Sequence, residues 1–128
     1  MTKQFRGTYT VMITAFDAEG RLDLEAQARF TDWQVREGIH GLIPLGSTGE
    51  FLSMSAEERR AVAKCVIDTV AGRVPVLIGA GAESTDEVID NVAMAEELGA
   101  DGTMIIPPFY STPTWDELIH HFGRIGDA

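Results

Sequence analysis

The segment GSTGE at 46–50 places two glycines, two adjacent hydroxyls and a carboxylate directly after the apolar run 41–45. Glycines allow backbone angles that other residues avoid, and successive N–H groups in such a turn form a concavity that binds anions. The hydroxyls of Ser47 and Thr48 add further donors, so a small carboxylate is the ligand that suits this chemistry. The alternative is a plain turn that leads into a helix capped at Ser55. The segment by itself leaves both interpretations open.

Two glycine-containing segments match nucleotide-binding motifs only in part. GLIPLGST at 41–48 lacks the lysine of a phosphate loop, because Ser47 stands at that position. GAGAES at 79–84 begins like the dinucleotide fingerprint, but Ser84 replaces the third glycine. A tight turn followed by a helix N-cap is the better interpretation of GAGAES. Neither segment therefore predicts a nucleotide site.

Aromatic and imidazole side chains offer further candidates for proton transfer. Tyr110 ends the segment PPFY at 107–110, where two prolines stop a strand. A tyrosine at such a rim either packs or carries a proton. The three histidines lack the spacing of metal ligands, and His121 is predicted to pair at the surface with Glu117, four residues earlier. No metal site is predicted.

The amine and thiol groups are few. Lys3 lies in the N-terminal tail and Lys64 on the polar face of a predicted helix, so neither should reach the carboxyl ends of the strands. Cys65 is the single cysteine, which excludes an internal disulfide and a cysteine-based metal cluster. A chain without disulfides suits the reducing cytoplasm.

Charge and hydropathy narrow the classes of partner. The 128 residues include 10 basic and 20 acidic side chains, a net charge of −10, which disfavours nucleic acid and anionic membranes as partners. No segment approaches the ~20 apolar residues of a membrane helix, and the first residues lack the apolar stretch of a signal peptide. We therefore expect a cytoplasmic protein that acts on a small molecule.

The candidate residues lie between alternating strands and helices. Short apolar runs at 8–14, 41–45, 74–80 and 102–107 predict strands, and each is followed by a stretch with helical spacing. Asp23 can cap the first helix, and SAEE, STDE and TWDE, which begin at Ser55, Ser84 and Thr114, predict capping boxes for the others. Four β/α units imply a parallel sheet with ligands at the carboxyl ends of its strands. An open doubly wound sheet and part of a (β/α)8 barrel both fit this pattern.

The segments GSTGE and PPFY occur together with AGRVPVLIGAG, which lies between them, and with LGADGTMIIPPFY, which contains PPFY. This combination is a specific pattern. Through these segments the chain resembles the dihydrodipicolinate synthase and N-acetylneuraminate lyase superfamily, in the same order over roughly residues 7 to 126. The resemblance implies an α/β fold of the (β/α)8 TIM barrel type. It also implies class I aldolase chemistry, in which pyruvate or another 2-keto acid forms a Schiff base with a lysine and reacts with an aldehyde. No metal or organic cofactor is implied, because the protonated imine is itself the electron sink.

The resemblance also implies roles for three residues. Ser47 and Thr48 would hold the keto-acid carboxylate, and Ser47 would belong to a proton relay. Tyr110 would join that relay by reaching across a dimer interface into the neighbouring site, as in tetrameric members, so a homo-oligomer (a dimer or a homotetramer) is expected. The chain departs from the family pattern at Ala15, where proline is usual, and at Phe109, where tyrosine is frequent.

The resemblance finally implies an incomplete barrel. The family's Schiff-base lysine lies on the sixth strand and a second tyrosine on the fifth, whereas this chain has four predicted strands. Residues 1–128 are therefore expected to form the N-terminal half of a single barrel domain, with no second domain, and to be inactive alone. The first and last strands would then have open edges. The alternative function is that of a non-catalytic truncated barrel, which binds a small carboxylate or only assembles.

Overall fold

The four predicted β/α units are confirmed by the structure, a computed structural model that describes residues 5–128; Lys3 lies outside the described residues. In chain order the elements are β1 (Tyr9–Val11), α1 (Leu24–Arg36), β2 (Gly41–Ile43), α2 (Ala56–Val70), β3 (Leu77–Gly79), α3 (Thr85–Glu97), β4 (Gly102–Met104) and α4 (Trp115–Asp127). Two short 3₁₀ turns, Ser47–Gly49 and Phe51–Ser53, lie between β2 and α2. Each strand is shorter than the apolar run that predicts it, because the runs continue into the loops.

The order of the strands distinguishes the two architectures that the sequence leaves open. β1 pairs with β2 and β3 pairs with β4, both in parallel. A parallel bridge between Leu42 and Val76 joins the two pairs, and the Leu42 N–H donates to the Pro75 carbonyl at 3.0 Å. The strands therefore lie side by side in chain order, as in a barrel, without the reversal that defines a doubly wound sheet.

The core lies between the strands and α2. Val62, Val66 and Val70 repeat at four-residue intervals on α2, and each is at most 1% exposed. They pack in one cluster with buried side chains from the strands, among them Leu42 and Ile78. The apolar face of α2 and the apolar side chains of the strands therefore form one continuous core. This core holds the strand ends in fixed relative positions.

All four predicted helix N-termini are confirmed, at Asp23, Ser55, Ser84 and Thr114. The Asp23 carboxylate accepts a hydrogen bond from the Ala26 N–H at 2.8 Å. Capping boxes form at Ser55 and at Thr114. The box predicted at Ser84 is wrong, because its side chain makes no capping hydrogen bond. Its intended partner, Glu87, instead pairs with Arg59 of α2 at 3.1 Å.

The surface pair predicted between His121 and Glu117 is also wrong. Glu117 completes the capping box at Thr114, three residues earlier. His121 is only 4% exposed, and its Nδ1 lies 2.8 Å from Thr85 Oγ1 at the start of α3. His121 is therefore the side chain through which α4 packs against α3, while Trp115 of α4 is exposed.

The outer strands have open edges, as expected of half a barrel. Among residues 5–128, β1 and β4 each pair with one neighbour only. Val11 and Ile13 are exposed where the interior of a closed barrel would lie. Within residues 5–128, no helix has both the length and the apolar character that crossing a membrane requires.

Candidate active site

The loops that follow β2, β3 and β4 meet in one cleft, as the sequence predicts for the carboxyl ends of parallel strands. Gly46 and Ser47 line it from the loop after β2, Gly79 and Gly81 from β3 and its loop, and Ile106 from the segment after β4. The cleft holds about 10 Å³, which is room for one water molecule. The carboxyl ends of β2, β3 and β4 therefore form one wall of a site rather than a closed pocket.

Ser47 and Thr48 present donors that the fold does not use. Both residues are exposed, and within residues 5–128 neither their hydroxyls nor their backbone N–H groups make an intramolecular hydrogen bond. The backbone N–H groups of the next two residues already make hydrogen bonds. Gly49 donates to the Gly46 carbonyl at 2.9 Å, and Glu50 donates to the Ser47 carbonyl at 3.1 Å. Of the two hydroxyl residues, Ser47 lines the cleft and Thr48 does not.

The backbone of this loop is strained, and contacts at Gly49 hold it against the segment that includes and follows β1. Leu45 and Glu50 flank it with φ of 62° and 58°, values that side-chain-bearing residues seldom adopt. The Thr14 hydroxyl, 8% exposed, donates to the Gly49 carbonyl at 2.7 Å and links the loop to the end of β1. A Cβ on Gly49 would lie 2.9 Å from the Met12 carbonyl oxygen. Strain of this kind persists where the surroundings determine the conformation, as at binding sites.

Tyr110 lies outside the cleft. It is 92% exposed, and within residues 5–128 its phenol makes no hydrogen bond. Its loop is instead connected to the site by Phe109, whose ring packs edge-on against Phe51 with centroids 6.3 Å apart. The structure thus places Ser47 on the loop after β2 and Tyr110 on the segment after β4, and only the serine lines the cleft.

Glu83, in the loop after β3, is a residue that the sequence analysis missed. Its Oε2 accepts the N–H groups of Phe109 and Tyr110, both at 3.0 Å. Its Oε1 accepts the Ser111 N–H at 2.8 Å and the Ser111 hydroxyl at 2.6 Å. The one available signal was an acidic residue at the carboxyl end of a strand, inside a segment that we interpreted as a turn.

The four hydrogen bonds stabilise the ionised form of this carboxyl group. The Ser111 hydroxyl contributes most, followed by the backbone N–H groups of Ser111 and Tyr110, and together they lower the pKa of Glu83 from 4.5 to about 2. Because the pKa in the folded protein is below that in the unfolded chain, the stabilisation is fully present above pH 4.5. It is lost as the pH falls through about 2.

We expect the amide proton shifts of Phe109, Tyr110 and Ser111 to follow this titration. Acidification should move all three resonances together with a midpoint near pH 2, while they stay constant above pH 4.5. A two-dimensional ¹H–¹⁵N NMR titration measures these shifts. Glu97 serves as a control, because its pKa is lowered by the Arg60 side chain rather than by backbone amides. The titration of Glu97 should therefore leave the chemical shifts of these three amide protons unchanged. A midpoint at 4.5 would contradict the prediction.

The described residues offer no other group suited to covalent or metal chemistry in the cleft. Lys64 lies in the middle of α2, exposed, with its Nζ 2.6 Å from the Asp68 carboxylate. Burial raises the pKa of the Cys65 thiol, which disfavours the reactive thiolate. In residues 5–128 no three His, Cys, Asp or Glu side chains are grouped to hold a metal ion.

The sequence matches a known protein family over almost its full length. The profile of the dihydrodipicolinate synthetase family matches residues 4–128. The 4-hydroxy-tetrahydrodipicolinate synthase of Nitrobacter hamburgensis is 43% identical over 125 residues, which are 98% of this chain and 42% of the relative. The chain thus spans about two fifths of the length of the curated relatives it matches.

Solved structures agree with the sequence comparison. The dihydrodipicolinate synthase of Acinetobacter baumannii, solved with pyruvate, superposes with a TM-score of 0.96 at 30% identity, over 98% of this chain and 43% of that one. A prophage protein of the same family from E. coli, also solved with pyruvate, gives 0.92 at 40% identity, over 98% and 42%. The four β/α units correspond to the first four units of these TIM barrels.

Proposed function

Because the chain belongs to the dihydrodipicolinate synthetase family, we propose that it supplies the carboxylate-binding half of a pyruvate-dependent class I aldolase or lyase. In this reaction a lysine amine attacks the keto carbon of pyruvate and water leaves, which gives a protonated imine. Loss of a methyl proton yields an enamine, which adds to an aldehyde; cleavage is the reverse. The imine nitrogen takes up the electron pair, so the proposal includes no metal or organic cofactor.

One observation carries the proposal: the unused donors of Ser47 lie where three parallel strands end. A carboxylate needs several convergent N–H or O–H donors and no acceptor. Ser47 and Thr48 together supply two hydroxyls and two backbone N–H groups that make no hydrogen bond within residues 5–128, and Ser47 lines the cleft. Two related structures solved with pyruvate support this ligand class.

Under this proposal the three residues have different roles. Ser47 and Thr48 bind the keto-acid carboxylate, and Ser47, which faces the cleft, also passes protons. Tyr110 takes part in the relay of a neighbouring subunit. Its 92% exposure supports a role outside its own subunit, because a phenol that served its own cleft would be expected to line it. A homo-oligomer, dimeric or tetrameric, is therefore part of the proposal.

Reduction with borohydride in the presence of pyruvate tests the Schiff base. We expect residues 1–128 alone to form no covalent adduct, because Lys64 lies in the middle of α2 and does not line the cleft, and the sequence places Lys3 in the N-terminal tail. When the chain is co-produced with the four C-terminal β/α units of the N. hamburgensis synthase and purified as a complex, pyruvate should label a lysine of the added part. Intact-mass measurement detects the adduct, and peptide mapping locates it.

Two outcomes would contradict this expectation. An adduct on Lys64 would show that the lysine of α2 reaches the substrate. A stable complex that binds pyruvate but neither forms an adduct nor consumes pyruvate with an aldehyde would favour the non-catalytic carboxylate-binding function. The complex must first be isolated intact, so that failure to assemble is not mistaken for lack of chemistry.

A further inference from the structure

The segment that follows β4 has no secondary structure of its own until α4 begins at Trp115. Pro107 and Pro108 open it and lack backbone N–H groups, so they cannot donate hydrogen bonds to a neighbouring strand. Phe109, Tyr110 and Ser111 are all exposed. A segment of this kind takes its conformation from the few contacts that it makes with the rest of the fold.

Apart from the packing of Phe109 against Phe51, the hydrogen bonds of residues 109–111 converge on a single side chain. Three successive backbone N–H groups, from Phe109 to Ser111, together with the Ser111 hydroxyl, surround the Glu83 carboxylate at 2.6–3.0 Å. Consecutive amides that point at one anion form a nest of the kind that binds phosphate or carboxylate ligands in other proteins. Here the chain provides the anion itself, from the loop after the preceding strand. Each carboxylate oxygen accepts two donors.

We propose that Glu83 is a positioning residue that holds the backbone of 109–111 and thereby fixes the location of the Tyr110 phenol. The consequence for catalysis rests on the role proposed above for Tyr110. The hydrogen bond uses the backbone N–H of Tyr110, so its side chain, which is exposed, remains available for other contacts. Glu83 therefore acts through Tyr110 and does not need to touch the substrate.

The Glu83→Gln variant tests the hydrogen bonds directly. Glutamine has the same size, but its amide nitrogen is a donor and would face two of the four donors of the segment. We expect the amide protons of Phe109, Tyr110 and Ser111 to exchange with solvent about tenfold faster than in the unsubstituted chain. The matched control is Glu97→Gln, which makes the same chemical change on α3 where the carboxylate pairs with Arg60 at 2.7 Å. Unchanged exchange at 109–111 in Glu83→Gln would overturn the proposal.

Kinetics of the co-produced complex test the positioning role. Glu83→Gln should lower kcat, with little change in the KM for pyruvate, and should cost no further activity once Tyr110→Phe is present. Independent, multiplicative losses in the double variant would overturn a role through Tyr110. If the unsubstituted complex shows no turnover, the proposed function fails, whereas the exchange measurement still decides whether Glu83 holds the segment.

Discussion

Replacing Gly79 by alanine should destabilise the protein by about 3 kcal/mol or more, which is a large fraction of the ~5–15 kcal/mol that stabilises a typical domain. Gly79 ends β3, and its N–H donates to the Pro44 carbonyl at 2.9 Å. A Cβ at this position would overlap the carbonyl group of Leu45 and lie 2.9 Å from the Gly46 nitrogen. These are backbone atoms, so no rotamer change relieves the clash.

The same overlap would displace the loop that presents Ser47. Leu45 already has a φ of 62°, so the backbone next to the clash has little freedom to adjust. A variant that still folds should therefore lose pyruvate binding together with stability. Urea denaturation followed by circular dichroism measures the free energy of unfolding.

Gly123→Ala is the matched control for this prediction. Gly123 lies within α4, and a Cβ there would meet no atom within 4 Å. Alanine favours the helix, so this variant should be unchanged or more stable by about 0.5–1 kcal/mol. Equal stability of Gly79→Ala and Gly123→Ala would contradict the close approach between β3 and the loop after β2.

The features that the sequence predicts correctly depend on neighbouring residues. Asp23, Ser55 and Thr114 cap helices through partners only three residues away, and the α2 face repeats every four residues. The two wrong predictions involve distant partners: Arg59 lies 28 residues from Glu87, and Thr85 lies 36 residues from His121. Tertiary contacts of this length override a local pairing, and no single-sequence pattern encodes them.

The same difference between local and distant contacts applies to the candidate site. The donor-rich GSTGE loop and its place at the carboxyl end of a strand follow from the residues themselves. The order of the strands does not, since periodicity is identical in a barrel and in an open sheet. Glu83 was missed because its partners lie 26–28 residues further along the chain. The sequence therefore predicts which groups could bind a carboxylate, while the fold determines which groups hold them.

Replacing Ser47 by alanine should lower the kcat of the co-produced complex by about 10²–10³, the usual cost of losing a group that transfers protons. Ser47 lines the cleft and its hydroxyl makes no competing hydrogen bond within residues 5–128, so this hydroxyl is available to the substrate. Its exposure also means that the substitution should leave the free energy of unfolding within about 0.5 kcal/mol of the original. Steady-state pyruvate consumption with saturating aldehyde measures the effect.

Two variants separate proton transfer from carboxylate binding. Ser47→Thr keeps the hydroxyl and should retain most of the activity. Thr48→Val keeps the shape but removes a hydroxyl that we assign to carboxylate binding, so it should raise the KM for pyruvate by about tenfold. Because Thr48 does not line the cleft, the effect on kcat should be smaller. If Ser47→Ala instead raised KM alone, the serine would bind substrate and transition state equally and could not be the proton carrier. The relay would then have to begin at a residue other than Ser47.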